Sequence, residues 1–240
     1  MTDIKTQFDP VLRKTISKKK QVAVIPVGSI EQHGPHLPVS TDSDIVTEVA
    51  KRISEKNDYL LLPTLNYGVS YEHAPFFNLS IQESTLRVVL TDLCSSLLSN
   101  DINKVFIING HHGNLKPIKN LDAKLKKISK NKLHVFPLSY WHFMEREFDH
   151  AGFVETSLML AISKNVKMKL AKKGLITEGM TKQQIAKIGK LANQSFPKAT
   201  KNGIWGDPTK ATKGDGQVIL AEIVKNLEKK CQTCLTGHSS

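Results

Sequence analysis

The chain has 240 residues, of which 40% are hydrophobic, so its composition excludes a disordered protein and suits a single folded domain over residues 1–240. No apolar run reaches the roughly 18 residues of a membrane span, and the polar N-terminal segment, residues 1–20, is no secretory signal, so we expect a cytoplasmic protein. The formal net charge is +12, but the lysines are scattered and no nucleic-acid-binding motif accompanies them, so nucleic acid is not expected as a partner.

Strand and helix patterns alternate along most of the chain. In chain order they are a strand over 21–27, a helix over 44–56, a strand over 59–62, a helix over 84–98, a strand over 104–108, a helix over 117–128, a strand over 133–138, an apolar helix over 158–162, a short helix over 182–191 and a closing helix over 217–227. Residues 231–240 are expected to form a tail. The alternation predicts a three-layer α/β/α sandwich with a mostly parallel central sheet, in which catalytic loops follow the carboxyl ends of the strands.

Four side chains with metal-ligating groups follow the first predicted strand: Glu31, His33, His36 and Asp42. In an extended segment Glu31 and His33 point to the same face, and the Gly-Pro sequence after them turns the chain back toward Asp42. Imidazole together with carboxylate suits Zn, Mn or Fe. The alternative is a polar surface loop in which Ser40 or Asp42 caps the next helix. So many ligand types in one loop favour a metal site.

Two further polar clusters follow later strands. His111 and His112 lie between glycines, which allow the backbone to approach a ligand closely. The third cluster contains His150 and Glu155. Glu155 falls in the first turn of a helix, where it either binds a metal or interacts favourably with the helix dipole. In an α/β sheet, three clusters that each follow a strand converge on one site.

These clusters belong to a longer pattern of motifs. The stretch G-S-I-E-Q-H-G-P-H-L-P at 28–38, with N-G-H at 109–111, H-A-G at 150–152, E-T-S at 155–157 and G-D-P at 206–208, resembles the creatininase family, also called creatinine amidohydrolases. The resemblance implies the creatininase fold. It also implies a hydrolase that cleaves a C–N amide bond with two divalent metal ions, either Zn, Mn or Fe(II).

By this resemblance, five residues hold the two ions. Asp42 bridges them, Glu31 and His111 bind one ion, and His33 and Glu155 bind the other. Two ions that share a carboxylate lower the pKa of a water molecule between them. His150 would act as general acid or base and deliver a proton to the leaving nitrogen.

Other positions are expected around these ligands. His36 and His112 adjoin them and are expected to hydrogen-bond to metal-binding groups, which usually need such partners. His73, Arg146 and Trp205 are expected to contact the substrate.

Two positions depart from creatininase itself. Gly113 replaces a glutamate that contributes to the exchangeable metal site of creatininase, so one ion is expected to bind more weakly. Arg146 replaces a tryptophan that closes the creatininase pocket, and the stretch 76–79 lacks the F-P-G-T of many relatives. These differences argue against creatinine as the substrate.

The preferred function is hydrolysis of a formamide on a pyrimidine ribonucleotide, as in the deformylase relatives of riboflavin and deazaflavin biosynthesis. Arg146 and the basic surface suit a phosphorylated substrate, although a merely solvated surface is the simpler interpretation of the charge. The alternatives are creatinine or another cyclic amide, a modified peptide cleaved by a metallopeptidase, and a non-catalytic metal-binding or nucleic-acid-binding protein. The resemblance also implies a ring-like homo-oligomer, expected as a hexamer.

Overall fold

The structure, a computed structural model, describes residues 2–18 and 21–237. The predictions for the polar N-terminal segment and for the tail fall partly on Met1, Lys19, Lys20 and residues 238–240, which lie outside the described residues. Within the described ranges, no helix has both the length and the hydrophobicity that crossing a membrane requires.

Among the described residues, five parallel strands form one sheet in the order β1-β3-β2-β4-β5. They are β1 (Thr2–Asp3), β2 (Val22–Val27), β3 (Leu60–Leu61), β4 (Lys104–Asn109) and β5 (His134–Ser139). The central strand β2 is buried on both faces: Ala23, Ile25 and Val27 belong to one hydrophobic core, and Val24 belongs to the other. Continuous apolar runs are typical of such doubly buried parallel strands, so the predicted parallel sheet is confirmed.

Helices cover both faces of this sheet. They are α1 (Asp9–Lys18), α2 (Thr41–Asn57), α3 (Glu83–Ser99), α4 (Leu115–Ile118), α5 (Leu121–Ile128), α6 (Phe153–Ile162), α7 (Lys182–Gln194), α8 (Phe196–Thr200) and α9 (Lys213–Thr236). Buried residues of α2, α6 and α9 pack in one core, and those of α3 and α5 pack in the other. The predicted α/β/α arrangement is therefore confirmed.

Three segments differ from the prediction. The helix expected over 117–128 is divided into α4 and α5, because Asn120 between them has a left-handed backbone with φ of 58°. The closing helix extends beyond 217–227 into the expected tail, where Cys231 is fully buried and continues its apolar face. The N-terminal segment contains β1 and α1, which the sequence patterns did not predict.

The carboxyl ends of β2, β4 and β5 lie side by side. Val27 is paired with Asn109, and Asn109 is paired with Ser139. Asn114 ties two of the loops together, since its side-chain amide donates to the backbone oxygen of Gly28 at 3.0 Å. The loops that carry the three polar clusters therefore leave the sheet at one edge.

Candidate metal centre

The loop after β2 returns directly to the start of α2. Gly34 makes the turn with φ of 61°, a left-handed conformation that favours glycine. Glu31 and His33 precede this turn and are fully buried. Asp42 lies in the first turn of α2 and is also buried. The structure thus brings these three side chains together in the interior.

Five buried side chains form two donor groups that share Asp42, and a further grouping brings His150 together with Glu31 and His33. In the first group, His111 Nδ1 lies 3.0 Å from Asp42 Oδ2, and His111 Nε2 lies 3.3 Å from Glu31 Oε2. In the second group, His33 Nε2 lies 3.2 Å from Asp42 Oδ1 and 3.6 Å from Glu155 Oε2. Asp42 therefore turns one carboxylate oxygen toward each group.

Each histidine of the two groups has one ring nitrogen beside a backbone carbonyl. His33 Nδ1 lies 3.0 Å from the oxygen of Glu31, and His111 Nε2 lies 2.8 Å from the oxygen of Val69. A ring N–H that donates to a carbonyl leaves the other nitrogen free to bind a metal, which is the usual arrangement of metal-binding histidines. Those other nitrogens, His33 Nε2 and His111 Nδ1, are the ones nearest Asp42.

The carboxylates of the two groups lack the partners that buried charges require. Glu31 Oε1, Asp42 Oδ2 and Glu155 Oε1 are buried and accept no hydrogen bond of good geometry. The first lies 3.1 Å from His73 Nε2 and the second 3.0 Å from His111 Nδ1. Among the described residues, these carboxylates form ion pairs with histidines only. A divalent ion in each group would satisfy these oxygens, so the residues present fit two ions that accept mixed nitrogen and oxygen ligands.

The pKa values of the groups reflect the same crowding. Burial raises the pKa of the Glu31 and Glu155 carboxyls to about 8. Burial alone would lower the pKa of His33 and His111, but the neighbouring carboxylates, Asp42 among them, raise it to about 10. Without a metal, protons therefore take the place of the missing positive charge.

His150 lies beside the donor groups and is held by Gln32. Its Nδ1 lies 3.9 Å from Glu31 Oε1, whereas its Nε2 lies 3.1 Å from Gln32 Nε2. The same Gln32 nitrogen lies 3.0 Å from His73 Nδ1. The backbone N–H of Gly34 donates to Gln32 Oε1 at 3.0 Å, which fixes the orientation of the amide. Sequence reasoning missed Gln32, although it stands between two expected ligands.

A cavity of about 280 Å³ opens onto the donor groups. It is lined by Asp42, Glu72, His73, His111, His112, Phe148, Asp149, His150, Gly189, Ala192, Asn193, Phe196 and Trp205. The polar part of this lining includes Asp42 and His111 of the donor groups. Its apolar part comes from Phe148, Trp205 and, in α7 and α8, Ala192 and Phe196. Within the described part of the chain, no lysine or arginine belongs to the lining.

Most of the other expected site residues lie around this cavity. His73, His112 and Trp205 line it. His36 is buried but does not line it, and its Nε2 lies 2.8 Å from Thr156 Oγ1. His36 therefore contacts the residue that follows Glu155 rather than a side chain of the two donor groups.

Arg146 is the expected site residue that the structure does not bring to the cavity. Its side chain is exposed, and the guanidinium carbon lies 4.7 Å from the centre of the Phe153 ring. An arginine over an aromatic face gains a cation–π contact of about 0.5–1 kcal/mol at an exposed site. Arg146 is therefore not among the residues that line the cavity.

A parallel α/β sheet whose loops bring buried carboxylates and histidines to one edge is the architecture of a metal-dependent hydrolase. The chain belongs to the creatininase family, since the family model described as creatinine amidohydrolase matches residues 10–231. It is accordingly a hydrolase of C–N amide bonds.

Known proteins resemble large parts of this chain. The mycofactocin precursor peptide peptidase of Mycolicibacterium smegmatis is 31% identical over 214 residues, which are 85% of this chain and 81% of that protein. The 2-amino-5-formylamino-6-ribosylaminopyrimidin-4(3H)-one 5'-monophosphate deformylase of Methanothermus fervidus is 30% identical over a region that covers 59% of this chain and 56% of that protein. A crystal structure of creatinine amidohydrolase has a TM-score of 0.79 at 22% identity, covering 95% of this chain and 96% of that chain, which supports the fold alone.

Proposed function

We propose that this chain hydrolyses the C–N amide bond of a small molecule with water, using two divalent ions held by the two donor groups. The observation that carries the proposal is the position of Asp42, which directs a different carboxylate oxygen toward each group. When bound, two such ions lower the pKa of a water molecule and polarise an amide carbonyl. The ions are proposed to be Zn, Mn or Fe(II), because these metals accept imidazole and carboxylate together.

His150 is proposed as the general acid and base. Burial lowers the pKa of its imidazole well below the usual value, so the resting ring is neutral and able to accept a proton from the attacking water. The leaving nitrogen needs that proton, since an amine leaves poorly until it is protonated. Gln32 occupies the Nε2 side of the ring, so Nδ1 is the atom available for the transfer.

The cavity favours a substrate that is uncharged near the scissile bond. Phe148, Phe196 and Trp205 provide apolar walls, and the described lining offers no lysine or arginine. The described lining therefore holds no cationic side chain that could pair with a phosphate inside the cavity. Support for the pyrimidine-nucleotide deformylase activity therefore comes from sequence similarity. The phosphate of the nucleotide substrate would have to remain at the mouth of the cavity.

Peptide hydrolysis is a second candidate. The apolar wall formed by Ala192 and Phe196 suits a hydrophobic side chain beside the scissile bond. The similarity to a peptidase extends over 85% of this chain.

A hydrolysis screen tests the proposed function. Anaerobically purified protein is reconstituted separately with Zn, Mn and Fe(II) and offered creatinine, formanilide, the formylaminopyrimidine nucleotide and a short peptide ending in hydrophobic residues. We expect turnover of at least one amide, lost in Glu31→Gln because one donor group loses its charge. Glu55→Gln, on an exposed part of α2, is the matched control.

The identity of the substrate that turns over separates the candidates. Formate release from the nucleotide would support the deformylase, and cleavage of the peptide would support the peptidase. Metal binding without turnover of any amide, or turnover that survives Glu31→Gln, would contradict the proposed function.

A further inference from the structure

Glu72 is a carboxylate outside the five expected ligands that nevertheless lines the same cavity. It lies in a short 3-10 helix, Tyr71–His73, and only 19% of its side chain is exposed. Its Oε1 lies 4.0 Å from His111 Nε2. Among the described residues, no lysine or arginine forms an ion pair with it. A mostly buried carboxylate without a cationic partner is unfavourable unless something else supplies positive charge.

Gly113 leaves the room that this carboxylate uses. A Cβ atom built on Gly113 would lie 3.0 Å from Glu72 Oε1, 2.5 Å from His111 Nε2 and only 2.0 Å from the backbone oxygen of Val69. These separations are shorter than van der Waals contact, so a side chain at 113 is incompatible with the present arrangement. The space beside His111 is therefore available to Glu72 because residue 113 is glycine.

The ring of His111 connects Glu72 with the first donor group. The ring also lies 3.0 Å from Asp42 Oδ2 and 3.3 Å from Glu31 Oε2. Donor atoms on one ion are separated by about 3 to 4 Å when each bond to the ion is about 2.1 Å long. The Glu72 carboxylate lies 4.0 Å from His111 Nε2, the ring nitrogen that faces Val69 rather than Asp42. Glu72 therefore borders this ion position and would join it by turning its side chain, without any movement of the backbone.

We propose that Glu72 is a further metal ligand, which completes the ion position formed by Glu31, Asp42 and His111 from the cavity side. This inference rests on the proposed metal-dependent function. Glu72 would supply a carboxylate to an ion position that receives no side chain from residue 113. The two ion positions then differ, because Glu72 approaches only the group that contains His111.

Metal binding, rather than activity, is the direct test. Chelator-stripped wild type, Glu72→Gln and Glu72→Asp are titrated with Co(II) in a metal-buffered solution, and both the bound metal per chain and the visible Co(II) absorption are recorded. We expect wild type to bind two ions. Glu72→Gln is expected to bind one of them at least about tenfold more weakly with altered absorption, and Glu72→Asp is expected to fall between the two.

The matched control is Glu55→Gln, which removes an exposed carboxylate and should titrate like wild type. Thermal unfolding of the metal-free proteins shows whether Glu72→Gln still folds. Two ions bound by Glu72→Gln with wild-type affinities and absorption would overturn this inference and leave the proposed function standing. A wild-type protein that binds no metal would overturn both.

Discussion

At the scale of single residues, His150 has one ring nitrogen, Nε2, in contact with Gln32, whereas Nδ1 remains available for proton transfer. Its Nε2 contacts the side-chain amide of Gln32 at 3.1 Å and the backbone oxygen of Gln32 at 3.0 Å. These two partners suit an unprotonated and a protonated nitrogen respectively. The ring is therefore supported in either protonation state, while Nδ1 remains 3.9 Å from Glu31 Oε1.

Replacing His150 by asparagine should separate proton transfer from metal binding. We expect His150→Asn to lower kcat by about 10²- to 10⁴-fold, the usual contribution of general acid–base catalysis, while bound metal stays unchanged. Steady-state kinetics and metal analysis of the same preparation measure the two effects. His142→Asn, at an exposed histidine, is the control. A loss of metal in His150→Asn would instead indicate a ligand role.

Some of the site's geometry follows from local sequence, and some does not. The closeness of Glu31 and His33 follows from the alternation of an extended segment, and the Gly34 turn accounts for the return toward Asp42. The positions of Glu72 and Arg146 depend on tertiary packing. Glu72 and His111 lie in separate loops, and Arg146 contacts a phenylalanine of α6. The spacing of these residues in the sequence therefore could not predict where their side chains lie.

At the scale of elements, the strands and amphipathic helices between residues 21 and 227 were predictable because their apolar periodicity is strong. The break at Asn120 depends on one left-handed residue inside an otherwise helical pattern. The last turns of α9 are fixed by packing of Cys231, Cys234 and Leu235 on the core. The strand β1 has two residues and pairs with a distant strand, so it has no periodicity to detect.

Helices α7 and α8 form the apolar wall of the cavity. Gly189, Ala192 and Asn193 of α7 line the cavity at helical spacing, and Phe196 lines it from the start of α8. Glycine inside a helix costs about 1 kcal/mol relative to alanine. A Cβ built on Gly189 meets no atom within 4 Å, so a larger side chain would enter the open space of the cavity. We infer that Gly189 limits how large a substrate the wall admits.

Enlarging residue 189 should therefore discriminate between substrates by size. For Gly189→Leu we expect kcat/KM to fall about tenfold or more for a bulky amide such as formanilide, with little change for formamide. Gly189→Ala should stabilise the fold by up to about 1 kcal/mol. Kinetics with both amides and thermal unfolding test this, with Lys187→Leu on an exposed position of α7 as control. Equal losses for both amides would argue against a size role.

At the scale of the whole molecule, the net charge of +12 is not concentrated at the cavity, whose described lining contains no lysine or arginine. The surface instead exposes apolar side chains in the segment between β3 and α3, namely Tyr67, Tyr71, Phe77 and Leu79. The hexamer implied by the family resemblance stays a prediction. In an oligomer, exposed apolar side chains of this kind would be buried between subunits.

The metal centre also links the stability of the whole molecule to pH. In the metal-free fold, the pKa values of Glu31 and Glu155 are raised from about 4.5 to about 8, and those of His33 and His111 from 6.5 to about 10. The folded state therefore keeps protons that the unfolded chain releases as pH rises. Stability from these groups is fully present below the unfolded pKa values and is lost on the alkaline side.

We therefore expect the Tm of the metal-free protein to fall as pH rises from about 7 to about 9. Below pH 6.5, His36, His73 and His150, whose pKa values are lowered by burial, contribute in the opposite sense. Bound metal replaces those protons as the compensating positive charge, so the loaded protein should lose much less stability over the same range. Thermal unfolding with and without a chelator measures the difference. Glu31→Gln should flatten the metal-free profile, because the glutamine binds no proton. A metal-free Tm that is constant or rises between about pH 7 and about pH 9 would show that the two donor groups do not hold these protons in the folded state.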